Sequence, residues 1–308
     1  MLINKTFHDV PSPLDGGRPI RIFVIAPVTP DYPQARFPGV VVFSEIYQVT
    51  GPVERFAGAI ASQGYVVACP STYHEFESPD PIPYDVEGQS SLIFGRVLTQ
   101  LDPQGTDRGN KYKIEKTVAA YDEDATQAID LLVSLSNCNG RIAGHYGHVP
   151  RRSPRMILLV ILHFLEPTWL QAFRAAFDPR VLSTVCFFAT DIHSASLGKG
   201  GDNTLVRVQN GDLAGKGELV MIFGKQDTHV PRVGRDLIRK TLEDGNIPVS
   251  FLEVQAQHAF IRDEHSKGRW DAALTRSLFS YMMEVFERTV GRDLGPKVQT
   301  NTTPEHVC

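Results

Sequence analysis

Hydrophobic positions along this chain fall into short continuous runs, separated by longer stretches in which apolar residues recur every three or four positions. The runs Ile20–Pro27, Val40–Ser44, Tyr65–Pro70, Val181–Ala189, Leu219–Gly224 and Val249–Val254 are apolar with little alternation, the pattern of strands covered on both faces. Between them, Val53–Gln63, Thr117–Leu135, Pro231–Asp244 and Arg269–Val290 carry helical periodicity. In the second of these, Ala119, Ala120, Ala125, Ala128, Leu131, Leu132 and Leu135 make one stripe that faces a sheet. Strand alternating with helix predicts an α/β fold: a mostly parallel central sheet with helices on both faces. There is no internal repeat and no interdomain linker, so one domain is expected over residues 1–290. From Gly291 to Cys308 the chain turns polar and aperiodic, as a loose tail does.

Composition narrows the function more than the fold. With 42% hydrophobic and 21% charged residues the balance is that of an ordinary globular protein. A net charge of -4 gives no reason to expect nucleic acid or an anionic membrane as partner. The N-terminal segment has no apolar core of a secretion signal, and the longest apolar run, Met156–Leu165, is far short of the roughly 20 residues that cross a bilayer. Cys69, Cys138, Cys186 and Cys308 show neither CxxC pairing nor framework spacing and read as reduced thiols of a cytoplasmic protein. Metal-ligand spacings such as HExxH are absent, and no cofactor is expected.

Three segments place chemistry where a parallel sheet keeps it, just past the C-terminal ends of strands. Val41 to Tyr47 is a buried strand ending on Glu45. Phe223 to Pro231 is a strand, a turn with Asp227, and a proline-started helix. Gln257 to Asp263 is a loop carrying His258 after the strand that ends near Val254. An acid followed about 30 residues later by a histidine, each beyond a strand, is the back half of an α/β-hydrolase triad. His258 would take the nucleophile's proton while Asp227 fixes its tautomer and stabilises the imidazolium. Taken singly, Asp227 also fits a turn or helix cap, His258 a satisfied core residue and Glu45 a solvated loop acid. His229 and His265 lie nearby and are read as structural.

The segments FSEIYQ, GKQDTHVP and QHAFIRD, with LDPQ at Leu101–Gln104 and DPRV at Asp178–Val181, resemble the dienelactone hydrolase (carboxymethylenebutenolidase) family up to about Val290, apart from one stretch. The resemblance implies an α/β-hydrolase fold and hydrolysis of an ester or lactone bearing a carboxylate. It implies a Cys-Asp-His triad in which Asp227 and His258 are two members, with Glu45 beside the resting thiol. It assigns the substrate carboxylate to arginines, of which Arg262 matches one position and Arg108 is a looser candidate for the other. The backbone N–H of Ile46 would be one donor to the oxyanion.

The family's nucleophile sits in a Gly-x-Cys-x-Gly turn directly after a Gly-Arg-Ile strand. This chain supplies Gly140-Arg141-Ile142 and then departs: residues 143–171 contain no such turn, and neither Gly-x-Cys-x-Gly nor Gly-x-Ser-x-Gly occurs anywhere. Cys138 precedes that strand and Cys186 lies inside another. Shifted by one base, the possible codons of Gly147 to Met156 accommodate Gly-Met-Cys-Leu-Gly-Gly-His-Leu-Ala, with the cysteine codon straddling Val149 and Pro150. The expectation is a frame slip followed by translated non-coding sequence, with family pattern resuming at Ala172-Phe173-Arg174. The alternative is a natural insertion whose Arg151, Arg152 and Arg155 bulge outward and whose Met156–Leu165 forms a helix over the sheet. As written, the chain fits a hydrolase-fold protein that binds carboxylated small molecules without turning them over. A serine esterase of the same fold has no supporting elbow.

Overall fold

The computed structural model describes residues 1–14, 18–84, 105–139, 157–161 and 169–291, with only the backbone path described at 157–161 and 169–170. Its strands are β1 (Leu2–Pro11), β2 (Pro19–Val28), β3 (Gly39–Phe43), β4 (Val66–Pro70), β5 (Ile157–Ile161), β6 (Val181–Phe187), β7 (Glu218–Gly224) and β8 (Val249–Val254). Its helices are α1 (Gly51–Ser62), α2 (Gly105–Glu115), α3 (Val118–Ser134), α4 (Trp169–Ala175), α5 (Thr204–Gln209), α6 (Arg232–Asp244) and α7 (Ala272–Phe286), the last running into a π-helical turn at Glu287–Gly291. The described strands make one sheet in the order β1-β2-β4-β3-β5-β6-β7-β8. β2 runs antiparallel to β1 and β4, and the strands from β4 through β8 run parallel to their neighbours.

The apolar runs of the sequence became the strands because both faces of the sheet are covered. Every residue of β3 and β4 is buried. α3 packs on β3, β4 and β5 with α4 beside it, and α1 meets α7 through an edge-on contact of Phe56 with Phe279. Caps set two helix starts: Thr117 accepts from the Ala120 N–H at 3.1 Å, and Asp271 from the Leu274 N–H at 2.9 Å. β1 escaped the sequence reading because it is an edge strand with a mostly exposed side-chain row and carries no apolar run. The short helices α2, α4 and α5 also went unread.

One expectation is overturned. Ile157–Ile161 forms the central strand β5, pairing with Val40–Phe43 on one side and Val181–Cys186 on the other, and does not form a helix over the sheet. An all-apolar pentapeptide rich in branched side chains suits a two-sided strand at least as well as a helix, and periodicity cannot separate the two. Gly140-Arg141-Ile142, the arginines at 151, 152 and 155, and the tail 292–308 lie outside the described residues.

Candidate active site

β7 and β8 end side by side and aim two loops at one point. Gly224 closes β7, and a Cβ there would meet the Gln257 carbonyl at 2.8 Å, so a glycine is required for the loops to approach. Beyond it, Asp227 is fixed from two sides. Its Oδ1 accepts the backbone N–H of His229 at 2.8 Å, and its Oδ2 lies 2.6 Å from Nδ1 of His258. Both side chains are buried. That contact points Nε2 of His258 away from the acid, the orientation a general base needs. Ala259, next in the chain, is held at φ 58°, and Phe188, whose ring lies 5.6 Å from the His258 ring, at φ 53°. Non-glycine residues in this region store backbone strain and gather at sites where geometry is constrained.

Glu45, immediately past β3, is closed to solvent. Its carboxylate accepts hydrogen bonds from the hydroxyls of Thr50 and Tyr84, and Nη1 of Arg262 lies 3.5 Å from its other oxygen. Burial pushes the carboxyl up to about 7, against the pull of Arg262, Thr50 and Tyr84. Arg262 is itself 1% exposed. Its Nη2 donates to the His265 carbonyl, its guanidinium stands 5.0 Å from the centre of the Tyr84 ring, and Nε and Nη1 have no hydrogen-bond partner among the described residues. A buried guanidinium with two unsatisfied edges is suited to receive an anion.

A cavity of about 340 Å³ opens over these groups, walled by Ile46, Tyr47, Tyr84, Asn110, His229 and Arg262. His229 and His265, read from sequence as structural, both line it. The His229 ring lies 4.5 Å from that of His258, and the His265 ring stacks on Tyr84 at 4.8 Å. Arg108 does not join them. It and Tyr112, one helical turn apart on α2, both bond Glu77, at 3.0 Å from Nε of Arg108 and 2.8 Å from the Tyr112 hydroxyl. Sequence reasoning missed Thr50, Tyr84 and Asn110, which stand in loops and a short helix without motif. For Tyr84 the one available signal was its place in a Pro-rich loop following a strand end.

For the nucleophile, the strand in the β5 position is decisive. It is followed in sequence by Leu162-His163-Phe164-Leu165-Glu166-Pro167-Thr168, which contains neither cysteine nor serine. Cys69 and Cys186 are buried within β4 and β6, where burial pushes both thiols up, Cys69 to about 12. Neither can supply a thiolate at an elbow.

A second cluster, His74, Glu75 and Asp124, holds its ligand-type atoms within 4.8 Å of one another. Lys116 fills the cation's place there: its buried ammonium pairs with Glu75 and lies 3.0 Å from Asp124, while His74 Nε2 lies 3.1 Å from Asp124. With Lys116 in place, the cluster forms a buried ion network.

The dienelactone hydrolase family model matches residues 24–144 and stops where the elbow pattern breaks off. A protein of Saccharomyces cerevisiae named "Putative carboxymethylenebutenolidase" is 47% identical over 310 residues, covering 100% of both chains. The chain belongs to the dienelactone hydrolase family. Among solved structures, one named "Putative Dienelactone Hydrolase" from Klebsiella pneumoniae is similar at a TM-score of 0.64 with 17% identity, over 94% of this chain and 100% of that one. A metagenomic dienelactone hydrolase-like promiscuous phosphotriesterase follows at 0.61 and 15%, over 94% and 100%. These likenesses show the α/β-hydrolase fold. Among the described residues no helix is long and apolar enough to cross a membrane.

Proposed function

We propose that the cavity is the site of a carboxylic-ester hydrolase for a small ester or lactone bearing a carboxylate. His258 serves as general base, Asp227 as its orienter, Glu45 as the acid beside the nucleophile and Arg262 as the carboxylate anchor. The Ile46 backbone N–H is one donor to the oxyanion. The observation that carries this reading is the buried 2.6 Å contact of Asp227 with His258 beside the half-satisfied guanidinium of Arg262. In the full mechanism a cysteine attacks the ester carbonyl, the alcohol leaves with a proton from His258, and water releases the acid. No metal or organic cofactor enters, and the partner is a small molecule and neither nucleic acid nor membrane. A cytoplasmic setting goes with the reduced, buried thiols.

The second reading is favoured by the sequence after β5: the chain as written holds carboxylates without cleaving them. Hydrolysis of a nitrophenyl ester by the expressed chain separates the two. Turnover abolished by His258→Ala would end the binding-only reading, whereas carboxylate binding without turnover supports it. The coding sequence across Gly140–Phe173 tests the origin of the change. A shifted frame that spells no cysteine across Val149 and Pro150 rules out a frame slip.

A further inference from the structure

α2 comes close to the loop after β3 for an identifiable reason. A Cβ on Gly109 would lie 2.6 Å from the Ile46 carbonyl oxygen and 2.7 Å from the Ile46 Cβ, so only glycine lets the helix approach this far. The approach puts Thr106 and Asn110, four residues apart on one face, against the cavity. The Thr106 and Tyr47 hydroxyls bond at 2.6 Å, and the Asn110 side chain reaches the open space. Arg108, two residues from Asn110 and so about 200° round the helix, is carried to Glu77 on the far side. The stretch after LDPQ, where Arg108 was the looser candidate for a substrate arginine, thus presents an amide to the cavity. No side-chain hydrogen bond engages that amide among the described residues.

We propose that Asn110 and Arg262 form a two-point site, selecting small carboxylates that also carry a neutral hydrogen-bonding group, a hydroxyl or a carbonyl. The inference rests on the reading of Arg262 as carboxylate anchor. Arg262 offers the anion its buried Nε, which has no hydrogen-bond partner among the described residues, while Nη1 faces Glu45 at 3.5 Å. Asn110 offers an NH2 donor group and a carbonyl acceptor and carries no charge, so it can pair with a hydroxyl through either and with a carbonyl through its N–H. None of the described residues that line the cavity is acidic; the nearby Glu45 carboxyl lies behind the lining, against Nη1 of Arg262. Tyr47 and Tyr84, 4.5 Å apart between ring centres, supply an apolar wall for the body of the ligand.

The test is equilibrium binding of benzoate, 3-hydroxybenzoate and 4-hydroxybenzoate to the full chain by calorimetry, which needs no turnover. We expect the better of the two hydroxybenzoates to bind about tenfold tighter than benzoate, the worth of one added hydrogen bond in a desolvated site. Asn110→Leu should erase that gap and leave benzoate within about twofold, while Arg262→Met weakens all three acids. Should Asn110→Leu fail to fold, Asn110→Ala makes the same comparison, and Glu45→Gln/Arg262→Met, which strands no charge, stands in for Arg262→Met in the same way. A gap that persists without the amide, or is absent from the native chain, overturns the role of Asn110 and leaves the carboxylate reading standing. Benzoate affinity unchanged by Arg262→Met overturns the carboxylate reading itself.

Discussion

Arg262 and Glu45 face each other at 3.5 Å with both side chains closed to solvent, one brought by the loop after β8 and the other by the end of β3. Among the described residues each is the other's ion-pair partner, so removing one strands the other in a low-dielectric interior. We expect Arg262→Met to destabilise the fold by about 3–5 kcal/mol, as breaking one side of a buried pair does. The double variant Glu45→Gln/Arg262→Met should recover most of that loss. Urea denaturation of the three variants checks it; a double variant no more stable than Arg262→Met would show that the cost is packing and not stranded charge.

The same carboxyl makes stability depend on pH. In the folded chain Glu45 is pushed up to about 7 by burial, from an ordinary value of 4.5. Between those values the native state holds a proton that the unfolded chain has released, so stability is greatest below about 4.5 as far as this group is concerned and falls as pH rises towards 7. The full span is on the order of 3 kcal/mol. Glu45→Gln, which keeps an acceptor for Thr50 and Tyr84, should flatten this part of the profile. Melting temperatures from pH 5 to 8 for both proteins provide the comparison.

Gly224 is where the acid loop and the histidine loop come closest. A methyl group there would meet the backbone carbonyls of Ala256 and Gln257, neither of which can swing aside as a side chain would. Gly224→Ala should cost about 1–3 kcal/mol through overpacking and spread the 2.6 Å contact between His258 and Asp227. A pH titration of the His258 ring protons by NMR reads the second effect directly. An unaltered titration alongside lost stability would mean that the two loops move together.

Much of this architecture could be read from the chain, and the exceptions have physical causes. Six of the eight strands follow from apolar runs, and β8 begins and ends where the pattern put it, at Val249 and Val254. Glu45, Asp227 and His258 were visible because strand ends in a parallel sheet impose spacing on sequence. Arg108 was a candidate only by its place after LDPQ, a stretch without a motif, and its guanidinium bonds Glu77 and does not line the cavity. Tyr84 and Thr50 were invisible since they reach Glu45 through tertiary folding alone, from 39 and 5 residues away. Ile157–Ile161 shows the reverse case: composition marked an apolar segment, but its strand form shows only in its pairing with β3 and β6.

The ion network at His74, Glu75, Lys116 and Asp124 gives the last prediction. Lys116 is fully enclosed, and a lone ammonium or a lone pair of carboxylates in that place would be costly, so neither charge type can be removed alone. Lys116→Met leaves Glu75 and Asp124 facing His74 only, and should destabilise the fold by at least about 3 kcal/mol at neutral pH. Acidification should then rescue the variant relative to the native chain, because burial already pushes the Glu75 carboxyl up and its protonation removes a stranded charge. Divalent metal separates the two views of the cluster. With lysine in place, zinc or manganese should leave the melting temperature of the native chain unchanged, since the ammonium already occupies the position a metal would take. A rise in melting temperature with metal in the native chain would mean that Lys116 can be displaced and the site is a metal centre after all. A rise confined to Lys116→Met would mean that the three remaining ligands suffice once the lysine is gone, and that the lysine is what excludes metal from this fold.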